Sequence, residues 1–225
     1  MTGQLWFDLP VQVALGTEDY FVSDANAQAH AMVMDWQGWP GAKLALIGPA
    51  GSGKSHLARV WQAMTGAMLL RAAAITEGPM PPPGTALVIE DMAGLPPSAE
   101  EPLFHLHNHL AQTGGHLLLT AVDPPSRWPI RLADLASRLQ ATAVVRLSDP
   151  DDRLLAALLM KLFADRQIAP APDVIHYLAA RIERSHAAAA RVVAQLDAAS
   201  MAAGRSLTRA FVRSVLDKPG RDAPE

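Results

Sequence analysis

The stretch GPAGSGKS, from Gly48 to Ser55, constrains the fold more than any other feature of this 225-residue chain. It ends the apolar run KLALIG and precedes a segment with apolar residues at helical spacing. A glycine-rich loop between a buried strand and a helix, closed by Lys and Ser, is the pattern that cradles phosphate groups with backbone N–H groups and a helix N-terminus. The predicted nucleotide contacts are Gly48, Pro49, Ala50, Gly51, Ser52, Gly53, Lys54, Ser55 and His56.

An acid pair ends another apolar run, LVIED. This run should deliver Glu90 and Asp91 to the carboxyl edge of a sheet, beside the phosphate loop. We expect Ser55 and Glu90 to hold Mg²⁺ with ADP or ATP, and Asp91 to act on an attacking water. Proteins with such a pair usually place Asp first, and a misplacement of about 1 Å costs on the order of 10²-fold in rate. Nucleotide binding with weak or no intrinsic ATPase activity is therefore predicted.

Strand-length apolar runs alternate with helical patterns up to residue 148, which predicts a parallel α/β sheet. Strands are expected at 43–48, from 67, at 86–92, at 116–122 and at 141–147. Helices are expected after the phosphate loop, at 98–115 with Ser98 as a cap, and at 132–139.

The pattern becomes entirely helical after residue 148. Asp149 is expected to cap a first helix with Pro150 at its first position. Further helices are expected after Pro172, from about Ser185 to residue 203, and from Thr208. A four-helix appendage should therefore follow the α/β unit.

The predicted helix 98–115 carries three histidines, His105, His107 and His109. The first and last share a helix face and could bind zinc as an i,i+4 pair, but no third ligand is evident nearby. The buried stripe of this helix is predicted to be Leu103, Leu106 and Leu110, with the histidines on its flanks.

Composition excludes several classes of protein. The formal net charge is −3 and no block of Lys or Arg stands out, so non-specific nucleic-acid binding is not implied. The chain has no cysteine, which fits a reducing cytoplasm. We expect neither a signal peptide nor a membrane span, because no basic start precedes an apolar run and no stretch approaches about 20 apolar residues.

A phosphate loop, an acid pair and a C-terminal helical unit together resemble the AAA+ ATPases. The stretch YFVSDANAQA is similar to a segment that precedes the nucleotide pocket in the DnaA family. LTAVDPP, LADLASRL and QLDAASMAAGRSLTRAFV resemble segments of the Hda-type regulators within that family. The resemblance implies a AAA+ domain with a parallel five-stranded sheet flanked by helices at 16–148 and a small all-α lid at 149–217. A tail at 1–15 and a loose end at 218–225 complete the expected organisation.

The resemblance also gives the first residues a role. Hda-type proteins begin with a motif of the form QLxLxL that binds the DNA polymerase sliding clamp (its beta subunit), and Gln4, Leu5, Phe7 and Leu9 fit this form. Alternating anchors on a short extended peptide suit an apolar groove. The alternative is that these side chains pack on their own domain.

Arg138, in LASRL, matches the family's arginine finger, which points into the nucleotide site of a neighbouring subunit. Such a guanidinium is worth about 10³ to 10⁵ in rate in related enzymes. Thr120 is the expected γ-phosphate sensor. The lid arginine that usually touches the nucleotide is replaced by alanine at 187 or 188, and Arg184 and Arg191 are candidates to replace it.

The resemblance therefore implies a regulator that docks on the clamp and stimulates ATP hydrolysis by DnaA in trans. A second copy of the chain is a further candidate partner, and a sequence-specific DNA-binding domain is not expected. The alternatives are a DnaA-like initiator or helicase loader acting on single-stranded DNA, and a metabolic P-loop kinase.

Overall fold

The computed structural model describes residues 20–217. The α/β part contains α1 (Ala27–Met34), β1 (Lys43–Ile47), α2 (Lys54–Thr65), β2 (Met68–Arg71), β3 (Ala86–Glu90), α3 (Glu100–Thr113), β4 (His116–Ala121), α4 (Ala133–Gln140) and β5 (Ala143–Arg146). The helical part contains α5 (Asp152–Ala164), α6 (Pro172–Ala179), α7 (His186–Ala203) and α8 (Arg209–Leu216). The five predicted strands and the helical C-terminal part are confirmed.

The five strands form one sheet in the order β2-β3-β4-β1-β5, and every neighbouring pair is parallel. The segments that follow β1, β4 and β3 therefore leave the sheet side by side at its carboxyl edge. Ligand sites in such sheets form where neighbouring strands diverge at this edge.

Side chains alternate between the two faces of the sheet, so each face is covered by its own pair of helices. Leu44 and Leu46 pack with α1 and α2, where Trp61 is fully buried. Ala45 and Leu119 pack with α3 and α4 on the other face. The result is a three-layer arrangement with one apolar core on each side of the sheet.

The C-terminal helices enclose a core of their own, built around Leu159, Phe163 and Val193. The predicted helix starts at Pro172, Ser185 and Thr208 are confirmed, and the last two are side-chain caps. None of the helices formed by residues 20–217 combines the length and hydropathy that a membrane crossing requires.

The prediction of Asp149 as a cap was wrong. The cap of α5 is Asp151, whose Oδ1 accepts from the Leu154 N–H at 2.7 Å, and the helix begins at Asp152 rather than Pro150. A capping carboxylate accepts from an N–H about three residues later in the chain. Asp149 and Asp151 both supply a carboxylate near the start of the helix, so the residue types alone did not distinguish them.

Ser98 is also not a cap, because it lies in a short 3-10 turn, Pro97–Ala99, and α3 begins at Glu100. The prediction that all three histidines flank the buried stripe of α3 was wrong for His107. This residue is buried between Leu103 and Leu110, one helical turn from each, whereas Leu106 is half-buried.

Candidate functional site

The phosphate loop is folded in the conformation that its glycines permit. Gly48, Gly51 and Gly53 have φ of 153°, 76° and 97°. A Cβ on Gly48 would lie 2.3 Å from the carbonyl oxygen of Leu147, so a side chain has no room there. The loop therefore passes closely over the end of the sheet and leads directly into α2.

Two polar side chains of this loop are suited to contact a ligand. The Lys54 Nζ donates to the carbonyl oxygens of Gly48 and Pro49 at 2.8 and 2.6 Å. The Ser52 Oγ is buried and has no hydrogen-bond partner among the described residues. Burial lowers the pKa of Lys54, and the nearby Asp91 carboxylate partly opposes that shift.

A cavity of about 290 Å³ lies beside Lys54 and Ser55 and is closed by the acid pair and the end of β4. Glu90 is buried, and its Oε1 has no hydrogen-bond partner among the described residues. Asp91 adopts a left-handed conformation (φ 59°), and its N–H donates to the Thr120 Oγ1 at 3.3 Å. The structure thus brings Ser55, Glu90, Asp91 and Thr120 together, as the sequence predicted.

A second cavity, of about 560 Å³, shares Lys54 and Ser55 with the first and extends along α2 towards the helical domain. Its wall includes His56 and Arg59 from α2 and His186 and Ala187 from the start of α7. The His186 N–H donates to the Gly51 carbonyl oxygen at 3.0 Å, so α7 begins directly on the phosphate loop.

The residues that the sequence offered in place of a lid arginine lie elsewhere. Arg184 is exposed and pairs with Asp152, with 2.7 Å between Nη2 and Oδ1. Arg191 is exposed and its Nη2 lies 3.9 Å from Glu183 Oε2. Neither lines the two cavities. From the start of α7, Ala187 and His186 line the second cavity; the sequence analysis named position 187 but missed His186.

Two aromatic rings beside α2, those of Tyr20 and His30, were also missed as part of the site, whereas the neighbouring His56 was predicted. The Tyr20 ring is stacked on His30, with centroids 5.4 Å apart, and lies against His56 at 5.5 Å. Burial raises the pKa of Tyr20 to about 12. The pKa of His56 is lowered, first by burial and then by the charges of His186, Lys161 and Arg59. The ring cluster is therefore a largely apolar, uncharged neighbour of the second cavity.

Comparison with known proteins finds a family match for the C-terminal part of the chain and similar folds for most of its length. Residues 151–216 match the family described as "Hda, lid domain". The fold is similar to domain III of the replication initiation protein DnaA from Thermotoga maritima, with a TM-score of 0.74 and 17% identity over 94% of this chain and 100% of that one.

Residues 151–216 thus resemble the lid of Hda proteins, and the fold is that of DnaA domain III, a AAA+ fold.

Two further solved structures share this fold. DnaA from Aquifex aeolicus bound to AMPPCP has a TM-score of 0.58 and 15% identity, over 75% of this chain and 60% of that one. A RuvB mutant from Thermotoga maritima has a TM-score of 0.66 and 16% identity, over 91% of this chain and 70% of that one. The chain thus spans less than two thirds of the Aquifex DnaA.

Arg138 lies away from the phosphate loop. It is exposed in the last turn of α4, and its guanidinium carbon lies 5.2 Å from the centre of the Phe104 ring on α3. It is close enough to Lys43, the first residue of β1, for its charge to lower the pKa of that amine. The predicted clamp-binding residues Gln4, Leu5, Phe7 and Leu9 lie outside the described residues.

Proposed function

We propose that this Hda-like protein binds ADP or ATP with Mg²⁺, docks on the DNA polymerase sliding clamp through Gln4, Leu5, Phe7 and Leu9, and stimulates hydrolysis of ATP held by DnaA. Initiation of replication would thereby be restrained. The observation that carries this proposal is the position of Arg138, which is an exposed cation on the α3–α4 side of a molecule whose own phosphate loop lies elsewhere.

Nucleotide binding is supported by the polar atoms around the phosphate loop. Burying an oxygen without a hydrogen bond costs free energy, so the isolated Ser52 Oγ and Glu90 Oε1 are best explained by a ligand with complementary groups. Lys54 donates hydrogen bonds to two carbonyl oxygens of the loop. Phosphate oxygens are charged and therefore stronger acceptors, so they would compete successfully for this ammonium group. Similar solved proteins include DnaA bound to AMPPCP.

Atoms of Ser55 and Glu90 fit a magnesium ion. Hydroxyl and carboxylate oxygens are the ligands that Mg²⁺ prefers, and Ser55 and Glu90 supply them beside one cavity. When bound, the ion neutralises negative charge on phosphate oxygens. Asp91, which is exposed at the cavity, is positioned to accept a hydrogen bond from a water molecule there.

The geometry of β1 supports action in trans. Lys43 begins this strand and Ile47 ends it, so about 13 Å of strand separate the neighbourhood of Arg138 from the phosphate loop. A guanidinium that cannot reach its own nucleotide is available to the nucleotide of a neighbouring subunit. The proposed neighbour is DnaA, because the lid of this chain matches the Hda family.

In the proposed reaction, a water oxygen bonds to the γ-phosphorus of ATP on DnaA, and the bond from that phosphorus to the bridging oxygen breaks. ADP keeps the bridging oxygen, and the water proton leaves with phosphate or solvent. Arg138 would neutralise the charge that develops on the transferred group, a contribution of about 10³ to 10⁵ in rate.

The test is hydrolysis of DnaA-bound ATP in a reconstituted mixture with clamp and DNA. We expect Arg138→Ala to reduce stimulation by at least about 10³-fold while the fold and nucleotide binding of the chain are retained. Phe7→Ala, or removal of the first ten residues, should abolish capture on immobilised clamp. Arg127→Ala, which removes an exposed arginine paired with Asp123, is the control. Full activity of the Arg138 variant, or undiminished clamp capture without the first ten residues, would contradict the proposal.

A further inference from the structure

A second cation lies beside the proposed finger. Lys43 is half-buried at the start of β1, and its Nζ lies 2.8 Å from the Nε2 of His107 on α3. His107 and Phe104 are three residues apart on α3, so they occupy adjacent positions on one side of that helix. One of them contacts Lys43 and the other contacts the Arg138 guanidinium. Helix α3 thus holds cations from β1 and α4 next to each other.

The histidine that holds Lys43 is itself uncharged near neutral pH. Burial lowers the pKa of His107 to about 4, and the charges of Lys43 and Arg138 act in the same direction. The neutral imidazole therefore accepts the hydrogen bond, and the ammonium group donates it. This contact orients the ammonium group without neutralising it and leaves two of its N–H groups for another acceptor.

Within residues 20–217, no carboxylate neutralises either cation. No Asp or Glu oxygen of this region lies within 4.0 Å of the Lys43 ammonium or the Arg138 guanidinium, and Asp134, one turn earlier on α4, is also beyond that distance. Burial, followed by the charge of Arg138, lowers the pKa of Lys43. Two like charges held together by apolar and neutral groups repel each other, and an anion between them would relieve this repulsion.

We propose that Lys43 and Arg138 form a single anion-binding site, in which Lys43 is a second cationic contact to the triphosphate held by the neighbouring AAA+ subunit. This inference rests on the proposed function and extends it to a residue at the start of β1. The Lys43 ammonium group is a compact charge on a flexible side chain, and the Arg138 guanidinium is planar and can donate two parallel hydrogen bonds. The two groups can therefore bind different oxygens of one phosphate chain. The pair should therefore favour a partner loaded with ATP over one loaded with ADP.

The experiment uses full-length protein with clamp, DNA and DnaA loaded with either ATP or ADP. We expect Lys43→Met to reduce stimulation of hydrolysis by about 10- to 100-fold, the range for loss of one hydrogen bond to a charged group. Lys43→Arg should restore most of the activity. Arg205→Gln, which removes an exposed cation from the helical domain, is the matched control and should retain full activity.

A structural role for Lys43 predicts a different result. Loss of packing would weaken binding to ATP-loaded and ADP-loaded DnaA equally, whereas loss of a phosphate contact should weaken binding to the ATP form more. Lys43→Gln, which keeps a polar chain that can reach His107, provides a second variant if the methionine variant unfolds. Equal losses for both nucleotide forms, or full activity of a folded Lys43 variant, would overturn the inference.

The failure of this inference can be told apart from failure of the proposed function. If Arg138→Ala removes stimulation and Lys43→Met does not, only the role of Lys43 is wrong. If Arg138→Ala retains full stimulation, the proposed action in trans is itself wrong.

Discussion

The two polar regions of this protein differ in how their charges are balanced. At the carboxyl edge of the sheet, Lys54 lies near the carboxylates of Glu90 and Asp91 around one cavity. On the α3–α4 side, Lys43 and Arg138 lie together with a neutral imidazole and an aromatic ring. The first region contains both signs of charge, as the proposed binding of a nucleotide with Mg²⁺ would require. The second contains only cations among the described side chains of the cluster, which is typical of a surface completed by an anion from another molecule.

The comparison predicts that the two regions can be inactivated separately. Lys54→Ala should weaken binding of ADP by about 10- to 100-fold, because a charge-assisted contact to phosphate is lost. Arg138→Ala should leave that affinity unchanged. Titration calorimetry with ADP and Mg²⁺ measures both variants. Comparable losses of ADP affinity in the two variants would show that the regions are not independent.

The carboxyl-edge region should also be the one sensitive to loop geometry. Gly48→Ala places a Cβ 2.3 Å from the Leu147 carbonyl oxygen, and we expect it to lower the free energy of unfolding by about 1–3 kcal/mol. Gly53→Ala is the matched control, because φ is also positive there (97°) but nothing lies within 4 Å of the added carbon. Urea denaturation compares the two. A smaller loss for Gly48→Ala than for Gly53→Ala would show that the close approach to Leu147 is not what requires glycine.

The cation-rich region should be sensitive to pH. Unfolded His107 binds a proton as the pH falls through about 6.5, whereas the folded residue, with a pKa of about 4, stays neutral. Its contribution to stability is therefore present above pH 6.5 and falls by up to about 1.4 kcal/mol per pH unit between 6.5 and 4.

Urea denaturation of the parent protein and of His107→Leu at pH 6.5 and pH 5 tests this expectation. The other histidines contribute equally to the pH dependence of both proteins. The variant should lose less stability than the parent as the pH falls. His105→Leu, on the exposed side of the same helix, controls for loss of an imidazole. An identical pH dependence in the parent and in His107→Leu would show that burial of His107 does not cause the loss of stability at low pH.

The smallest predicted effect concerns the contact between α7 and the phosphate loop. His186→Ala should weaken ADP binding by about 3- to 10-fold, the value of one ordinary hydrogen bond, because this side chain lines the second cavity. Arg184→Gln should not change the affinity, because Arg184 pairs with Asp152 outside that cavity. The same calorimetric titration distinguishes them, and the reverse order of effects would restore Arg184 as the lid contact.

Local sequence determined the strands, the phosphate loop and several helix starts. The run KLALIG followed by glycines specified both β1 and the turn after it, since a short apolar run and a glycine-rich loop each have few alternatives. Helix starts near Ser185 and Thr208 were identifiable, and both residues are side-chain caps, since a cap acts on an N–H three residues away. Glu90 and Asp91 could be placed beside the phosphate loop because they end a strand at the same edge of the sheet, whereas Thr120 was placed there by the family resemblance.

Only the tertiary structure decided which distant residues meet. Lys43 and His107 are 64 residues apart in the chain, and no local pattern indicates that they share a hydrogen bond. The choice of His186 over Arg184 at the second cavity depends on how α7 packs against Gly51, and the helical pattern of residues 185–203 is the same for either orientation. Such contacts follow from the order of the strands and the packing of the helices. The burial of apolar surface, summed over the whole fold, sets both, and no single motif encodes them.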